Sequence, residues 1–321
     1  MSENFGCNRL HMRLDEAKFA NSFGVSLDEL PARCKKLISE KNFEYKVLIG
    51  SDLESLLLAT LKRIDDDTQK IGAKERESVW EQGWRESLNE YVQSNFDIKK
   101  LVPKFIRPNQ AVRWQQQYVL PATENFELDY VEVLREWLFP AYFSGIDTIH
   151  EFGCGTGFNL LALARIYPEK KLIGSDFVPA SVELVNKIAE KQSLNLRGHI
   201  FDMIQPNENY EVAENSGVLT FGSLEQLAGK FENFIDFLLR KKPQICVHIE
   251  PTIELYDENV LSDYLAIRFQ SKRGYTKGLL PHLSNLASQG KIDLLKVKRL
   301  NFGSQMMEGY NLMVWRPVNL V

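Results

Sequence analysis

The stretch that most constrains this chain is DTIHEFGCGTGFNLLALARIY, residues 147–167. Its first six residues are apolar, β-branched or aromatic enough for a central strand. Gly153, Gly155 and Gly157 follow at every second position. Leu160, Leu161, Leu163 and Ile166 then fall at helical spacing. Glycine suits such a junction for two reasons. The chain turns from strand to helix through φ values that a β-carbon penalises. A ligand also gains close access to the backbone beside the positive end of the following helix.

The spacing narrows the ligand. A dinucleotide fingerprint has glycines at relative positions 1, 3 and 6, whereas position 6 here is Phe158 and the third glycine comes at position 5. Glu151 stands two places before the first glycine. This acidic-x-Gly-x-Gly-x-Gly pattern resembles motif I of the class I S-adenosylmethionine-dependent methyltransferases. The resemblance implies that Gly153, Gly155 and Gly157 lie against the methionine part of the cofactor and that Glu151 helps to hold its ammonium group.

Two further segments extend the resemblance. Residues 171–176 read as a second strand ending in Asp176, with a helix over 179–191 behind it. Asp176 lies about twenty residues past the turn, where a carboxylate accepts hydrogen bonds from ribose hydroxyls. Residues 198–203 read as a third strand ending in Asp202 and Met203. The resemblance gives Asp202 the adenine amino group and Met203 a packing role on the ring. Phe177 and Phe221 complete the expected cofactor set. Taken singly, each aspartate is more often a helix cap or turn residue. Three acidic residues in order, each at a strand end, point to S-adenosyl-L-methionine, with S-adenosyl-L-homocysteine as product.

The sheet pattern continues through 216–221, 245–250, 292–300 and 310–315, the last two as a closing antiparallel pair. The fold class expected is α/β, a Rossmann-like seven-stranded mostly parallel sheet with a helical N-terminal domain. The division expected is 1–110, for substrate binding or dimerisation, and 111–321, for the methyltransferase domain. The resemblance itself covers roughly 128–317. In the N-terminal part, helices are expected over 30–40, from 51 onward and over 74–92. The last carries Trp80, Trp84, Leu88 and Tyr91 on one face, which reads as core.

The acceptor side is less sharply marked. His248 and Glu250 share a face at the end of the fifth strand and are the candidate bases. Residues 101–126 are rich in Pro, Gln and Asn and precede the first helix of the sheet domain. Arg113, Trp114 and Tyr118 there are expected to line the acceptor pocket. Leu224-Glu225-Gln226 resembles the Leu-Glu-His of quinone-biosynthesis methyltransferases, with Gln226 replacing the histidine. Glu225 joins the expected acceptor set. A basic insertion, RFQSKRGYTKGLLPHL, adds Arg273, Tyr275 and His282 as residues suited to an anionic acceptor.

Composition narrows the classes. With 44% hydrophobic and 26% charged residues the chain has an ordinary globular balance, and no apolar run approaches a membrane span. A cytoplasmic enzyme without a membrane partner is expected. The net charge of −4 argues against a broad nucleic-acid surface. Cys7, Cys34, Cys154 and Cys246 form no paired motif, so neither zinc nor a disulfide framework is expected, and no metal. The reading is methyl transfer to oxygen or nitrogen of a small, acidic or sugar-like metabolite. The rival readings are a protein or RNA methyltransferase and a non-catalytic cofactor-binding protein.

Overall fold

The computed structural model describes residues 11–72 and 75–318; Cys7 lies outside them. The N-terminal part runs β1 (His11–Arg13), α1 (Glu16–Phe23), α2 (Ala32–Glu40), β2 (Glu44–Val47), α3 (Gly50–Asp66) and α4 (Glu75–Gln93). It is mostly helical, as the periodicity predicts, with two short strands that the pattern does not announce. Capping fixes α1 at both ends. The Asp15 carboxylate accepts from the Lys18 amide at 2.9 Å, and Gly24 leaves the helix in the left-handed region at φ +67°.

The chain continues with β3 (Val112–Trp114), β4 (Gln117–Pro121) and α5 (Phe126–Phe143). The α/β succession follows: β5 (Thr148–Phe152), α6 (Phe158–Ile166), β6 (Lys171–Asp176), α7 (Pro179–Gln192), β7 (Leu196–Ile200), β8 (Ser216–Phe221), α8 (Glu232–Lys241) and β9 (Ile245–Glu250). Then come α9 (Leu261–Arg273), α10 (Leu279–Ser288), β10 (Ile292–Lys298), β11 (Phe302–Ser304) and β12 (Asn311–Pro317).

Seven strands form the main sheet in the order β10-β12-β9-β8-β5-β6-β7. Strands β5 to β9 pair in parallel and only β12 runs against its neighbours. Parallel strands covered on both faces are apolar along their length, and β5, β8 and β9 are buried at nearly every position. The order reverses between β5 and β8, so the crevice beyond their carboxyl ends is where a ligand fits. A second, antiparallel sheet joins the two halves of the sequence in the order β1-β2-β4-β3-β11.

Residues from both sides of position 110 share one core. Phe23 stacks on Trp137 with ring centroids 4.6 Å apart, and Phe19 lies against Tyr130 at 5.4 Å. Tyr130 stacks in turn on Phe302 of β11 at 3.6 Å. No described helix is long and apolar enough to cross a membrane.

One buried ion network ties the insertion between β9 and β10 to the rest. Arg299 donates to Asp263 of α9 at 2.6 Å and to Glu308 at 2.7 Å, and both carboxylates are inaccessible. The turn after β11 is correspondingly tight: a β-carbon on Gly303 would lie 2.3 Å from the Met307 carbonyl oxygen. Replacing Arg299 strands two buried carboxylates. Arg299→Met should therefore lose about 3–5 kcal/mol of unfolding free energy in urea titrations, whereas an unchanged midpoint would show the network to be dispensable.

Candidate functional site

The turn between β5 and α6 has the geometry that its glycines permit. Gly153, Gly155 and Gly157 have φ values of +71°, +52° and +71°. A β-carbon on Gly153 would sit 2.4 Å from the Ser223 β-carbon, and one on Gly155 would meet the Trp84 ring at 3.0 Å. Asp176, at the end of β6, accepts from the Gly155 amide at 3.0 Å and the Val178 amide at 3.3 Å. Burial raises its carboxyl to about 6. Asp202 lies just past β7 and accepts from the Ile204 amide at 2.8 Å. Met203 is buried with its methyl 3.4 Å from the β-carbon position of Gly153, while Phe177 is 40% exposed beside Asp176.

A cavity of about 330 Å³ opens beside this turn, within the range of small-molecule sites. Glu151, Gly153 and Gly155 form its floor, and Phe221 and Glu225 line it from the end of β8 and beyond. Glu151 is fully buried. One of its oxygens accepts from Asn159 Nδ2 at 2.8 Å, and the other has no partner among the described residues. Burial pushes this carboxyl up to about 8. The Asn159 Oδ1 is also buried without a donor. Two orphaned acceptors beside a glycine turn suit a primary ammonium, so the site fits the amino-acid end of S-adenosylmethionine.

The cavity holds two more carboxyls of unusual character. Glu127, in the first turn of α5, accepts from the Tyr310 hydroxyl at 2.8 Å, and burial raises it to about 7. Glu225 is raised to about 8 by burial and by the neighbouring Glu250. Tyr310 stands between them and feels the charge of both. Sequence reasoning missed Glu127 and Tyr310. They lie 183 positions apart, and neither sits in a motif.

Several expected site residues lie elsewhere. His248 is completely buried in the sheet, with Nδ1 2.9 Å from the Thr220 hydroxyl and Nε2 accepting from the Trp315 indole at 2.8 Å. Burial depresses it to about 3, so it is a neutral, satisfied core residue and not a base. Glu250 accepts from the amides of Ser223, Leu224 and Glu225 at 3.2–3.4 Å, fixing the turn that presents Glu225. It is a positioning group and does not line the cavity.

Arg113, Trp114 and Tyr118 are also structural. They belong to the β3–β4 hairpin, where Trp114 is buried in the core and Arg113 donates to the Tyr118 hydroxyl at 3.0 Å and to the Ser262 carbonyl. The segment they belong to does reach the cavity, through Pro103, Ile106, Arg107 and Gln110. His282 packs edge-on against Phe231, away from the cavity. Arg273 and Tyr275 do line it.

The aromatic face of α4 divides in two. Leu88 and Tyr91 are core, but Trp80 and Trp84 stack on each other at 5.2 Å and line the cavity over the glycine turn. Glu81 of the same helix accepts from the Ala180 amide at 2.8 Å and so caps α7, which follows Asp176. Cys154 is buried within the turn, and its thiol is held well above the usual range by burial, which makes it filler.

Residues 149–236 match the family model described as a methyltransferase domain. No curated protein sequence matches. Among solved structures, the chain is similar to a geranyl diphosphate C-methyltransferase from Streptomyces coelicolor A3(2), at 10% identity over 73% of this chain and 98% of that one, with a TM-score of 0.46. It is also similar to a 16S rRNA methyltransferase bound to S-adenosyl-L-homocysteine, at 14% identity over 94% of each chain and a TM-score of 0.44. A third is a SAM dependent methyltransferase from Aquifex aeolicus, at 14% identity over 54% of this chain and 83% of that one, with a TM-score of 0.39. At these scores the likenesses carry no weight for substrate or mechanism. The family match spans the glycine turn, Asp176 and Asp202 together, so this part of the chain resembles a methyltransferase domain.

Proposed function

We propose that this enzyme methylates an oxygen or nitrogen of a small molecule held in the cavity between Glu127, Glu225 and Tyr275. The observation that carries this reading is the Glu127–Tyr310 pair. It places a carboxyl of near-neutral pKa in the wall of the cavity whose floor is the glycine turn. The cofactor supplies a methyl group on a cationic sulfur, which any aligned nucleophile can accept. The chain's own work is then to hold the acceptor in line, exclude water and take up its proton.

Glu127 suits that last task. A base is most effective with a pKa near the working pH, and burial brings this one to about 7. The Tyr310 hydroxyl orients it. Glu225, beside Gln226 and Tyr275, is placed to hydrogen-bond the acceptor. The size of the cavity favours a small acceptor over a macromolecule. Two cations of the basic insertion are engaged inside the chain: Arg268 pairs with Asp65 at 3.2 Å and Arg273 with Asp67 at 2.7 Å.

A proton acceptor must be ionised to act. Turnover should therefore rise with pH through about 7 in single-turnover assays with a hydroxyl or amine acceptor. Glu127→Gln should lower kcat about a hundredfold or more and remove that rise, with S-adenosylhomocysteine affinity unchanged. An unaltered kcat and pH profile would contradict the assignment.

A further inference from the structure

The cavity wall collects guanidinium groups from three distant parts of the chain. Arg63 comes from the last turn of α3, Arg107 from the irregular segment before β3, and Arg273 from the end of α9. Arg273 is held rigidly. It stacks over Phe269 at 4.6 Å, donates to the Tyr275 hydroxyl at 3.2 Å and pairs with Asp67. Among the described residues, Asp67 is the only carboxylate within 4.0 Å of any of the three guanidiniums. Arg63 feels the other two: burial, and then the charges of Arg107 and Arg273, lower its pKa against the opposing charge of Asp67.

Arg107 is exposed and Arg63 and Arg273 are half-buried, so three cations around one carboxylate give this wall of the cavity an excess of positive charge that an anion would complete. Glu225 lies close enough to feel Arg273, but burial and Glu250 keep it largely protonated near neutral pH, so it offers little neutralisation. The carboxyls Glu151 and Glu127 are likewise raised by burial. The cavity therefore offers an unpaired acceptor of Glu151 at the glycine turn and an excess of cations at the arginines, with Glu225 and Tyr275 next to Arg273.

We propose that Arg63, Arg107 and Arg273 form an anion subsite that anchors a phosphate or carboxylate of the methyl acceptor, leaving its nucleophilic atom beside Glu127 and Glu225. Guanidinium groups match both anions through paired hydrogen bonds. This deepens the proposed function and rests on it for the identity of the anion's carrier, although the subsite itself can be tested without turnover.

The test uses the full-length protein saturated with S-adenosylhomocysteine, titrated calorimetrically with inorganic phosphate and separately with malonate. Saturable binding of one or both is expected, and the tighter probe identifies the anion. Arg63→Gln and Arg107→Gln should each weaken it about tenfold or more, with S-adenosylhomocysteine affinity within about twofold of wild type. These two arginines form no ion pair among the described residues, so their variants are the ones least at risk of misfolding; thermal melts check this. Absence of saturable binding, or equal binding in wild type and both variants, would overturn the proposal. Phosphate or malonate binding that depends on the arginines, in an enzyme whose Glu127→Gln variant is unimpaired in turnover, would support the subsite and count against the proposed base instead.

Discussion

The structure is arranged around one buried carboxyl. Glu151 stands one residue before the end of strand β5, at the point where the sheet order reverses, and is buried. An isolated carboxylate in such a place is costly enough that the group retains its proton instead. Asn159, in the first turn of α6, satisfies one oxygen and leaves the other open toward the cavity. The three glycines let strand and helix meet tightly enough for that arrangement. Arg135 of α5 lies behind the site over the Phe158 ring at 3.9 Å, and its charge favours ionisation of Glu151 without touching it. The open oxygen suits a cationic ligand group such as the ammonium of S-adenosylmethionine.

The cavity wall is assembled from segments far apart in the chain. The helix α4 lays Trp80 and Trp84 over the turn, the stretch before β3 supplies Arg107 and Gln110, and the turn after β11 supplies residues 304–307, 309 and 310. Described residues from the N-terminal part thus line this cavity and share the core of the sheet domain. Two polar groups tie neighbouring segments together beneath the cavity. Arg299 joins α9 to the turn after β11, and Glu250 holds the amides of residues 223–225. Neither meets the cavity. Glu250 thereby fixes the backbone at Glu225.

What could be read from the sequence was what a local pattern encodes. Strand ends at Phe152, Asp176, Phe221 and Glu250 follow from apolar runs broken by acids or glycine, and the structure ends those strands at the same residues. The errors have physical causes. His248 and Glu250 share a face, but a central parallel strand is covered on both faces, so alternation does not distinguish cavity from core there. The β3–β4 hairpin turns through Gln115 and Gln116 at φ +47° and +63°, a left-handed pair usually built from Asn and Gly. Its cost, about 1–2 kcal/mol per residue, is offset by tertiary bonds: Gln115 donates to the Asn301 carbonyl at 2.9 Å and Gln116 to Asp263 at 3.0 Å. No nearby sequence signals that hairpin, so Arg113 and Trp114 read as a loop. The basic insertion looked unpaired for the same reason, since its acids, Asp65 and Asp67, lie some two hundred positions away. Glu127, Tyr310, Arg63 and Arg107 were invisible because only the tertiary fold brings them together.

The central claim is that Glu151 waits in its protonated form for the ammonium group of the cofactor. Calorimetric titration of S-adenosylhomocysteine at pH 7, in buffers of different ionisation enthalpy, tests it most directly. With the free carboxyl near 8, and an ammonium neighbour favouring its ionised form, binding should release close to one proton in the wild type. Glu151→Gln should bind more weakly and release none from this group. Binding by the wild type with no proton release, or the same release from the variant, would contradict the account.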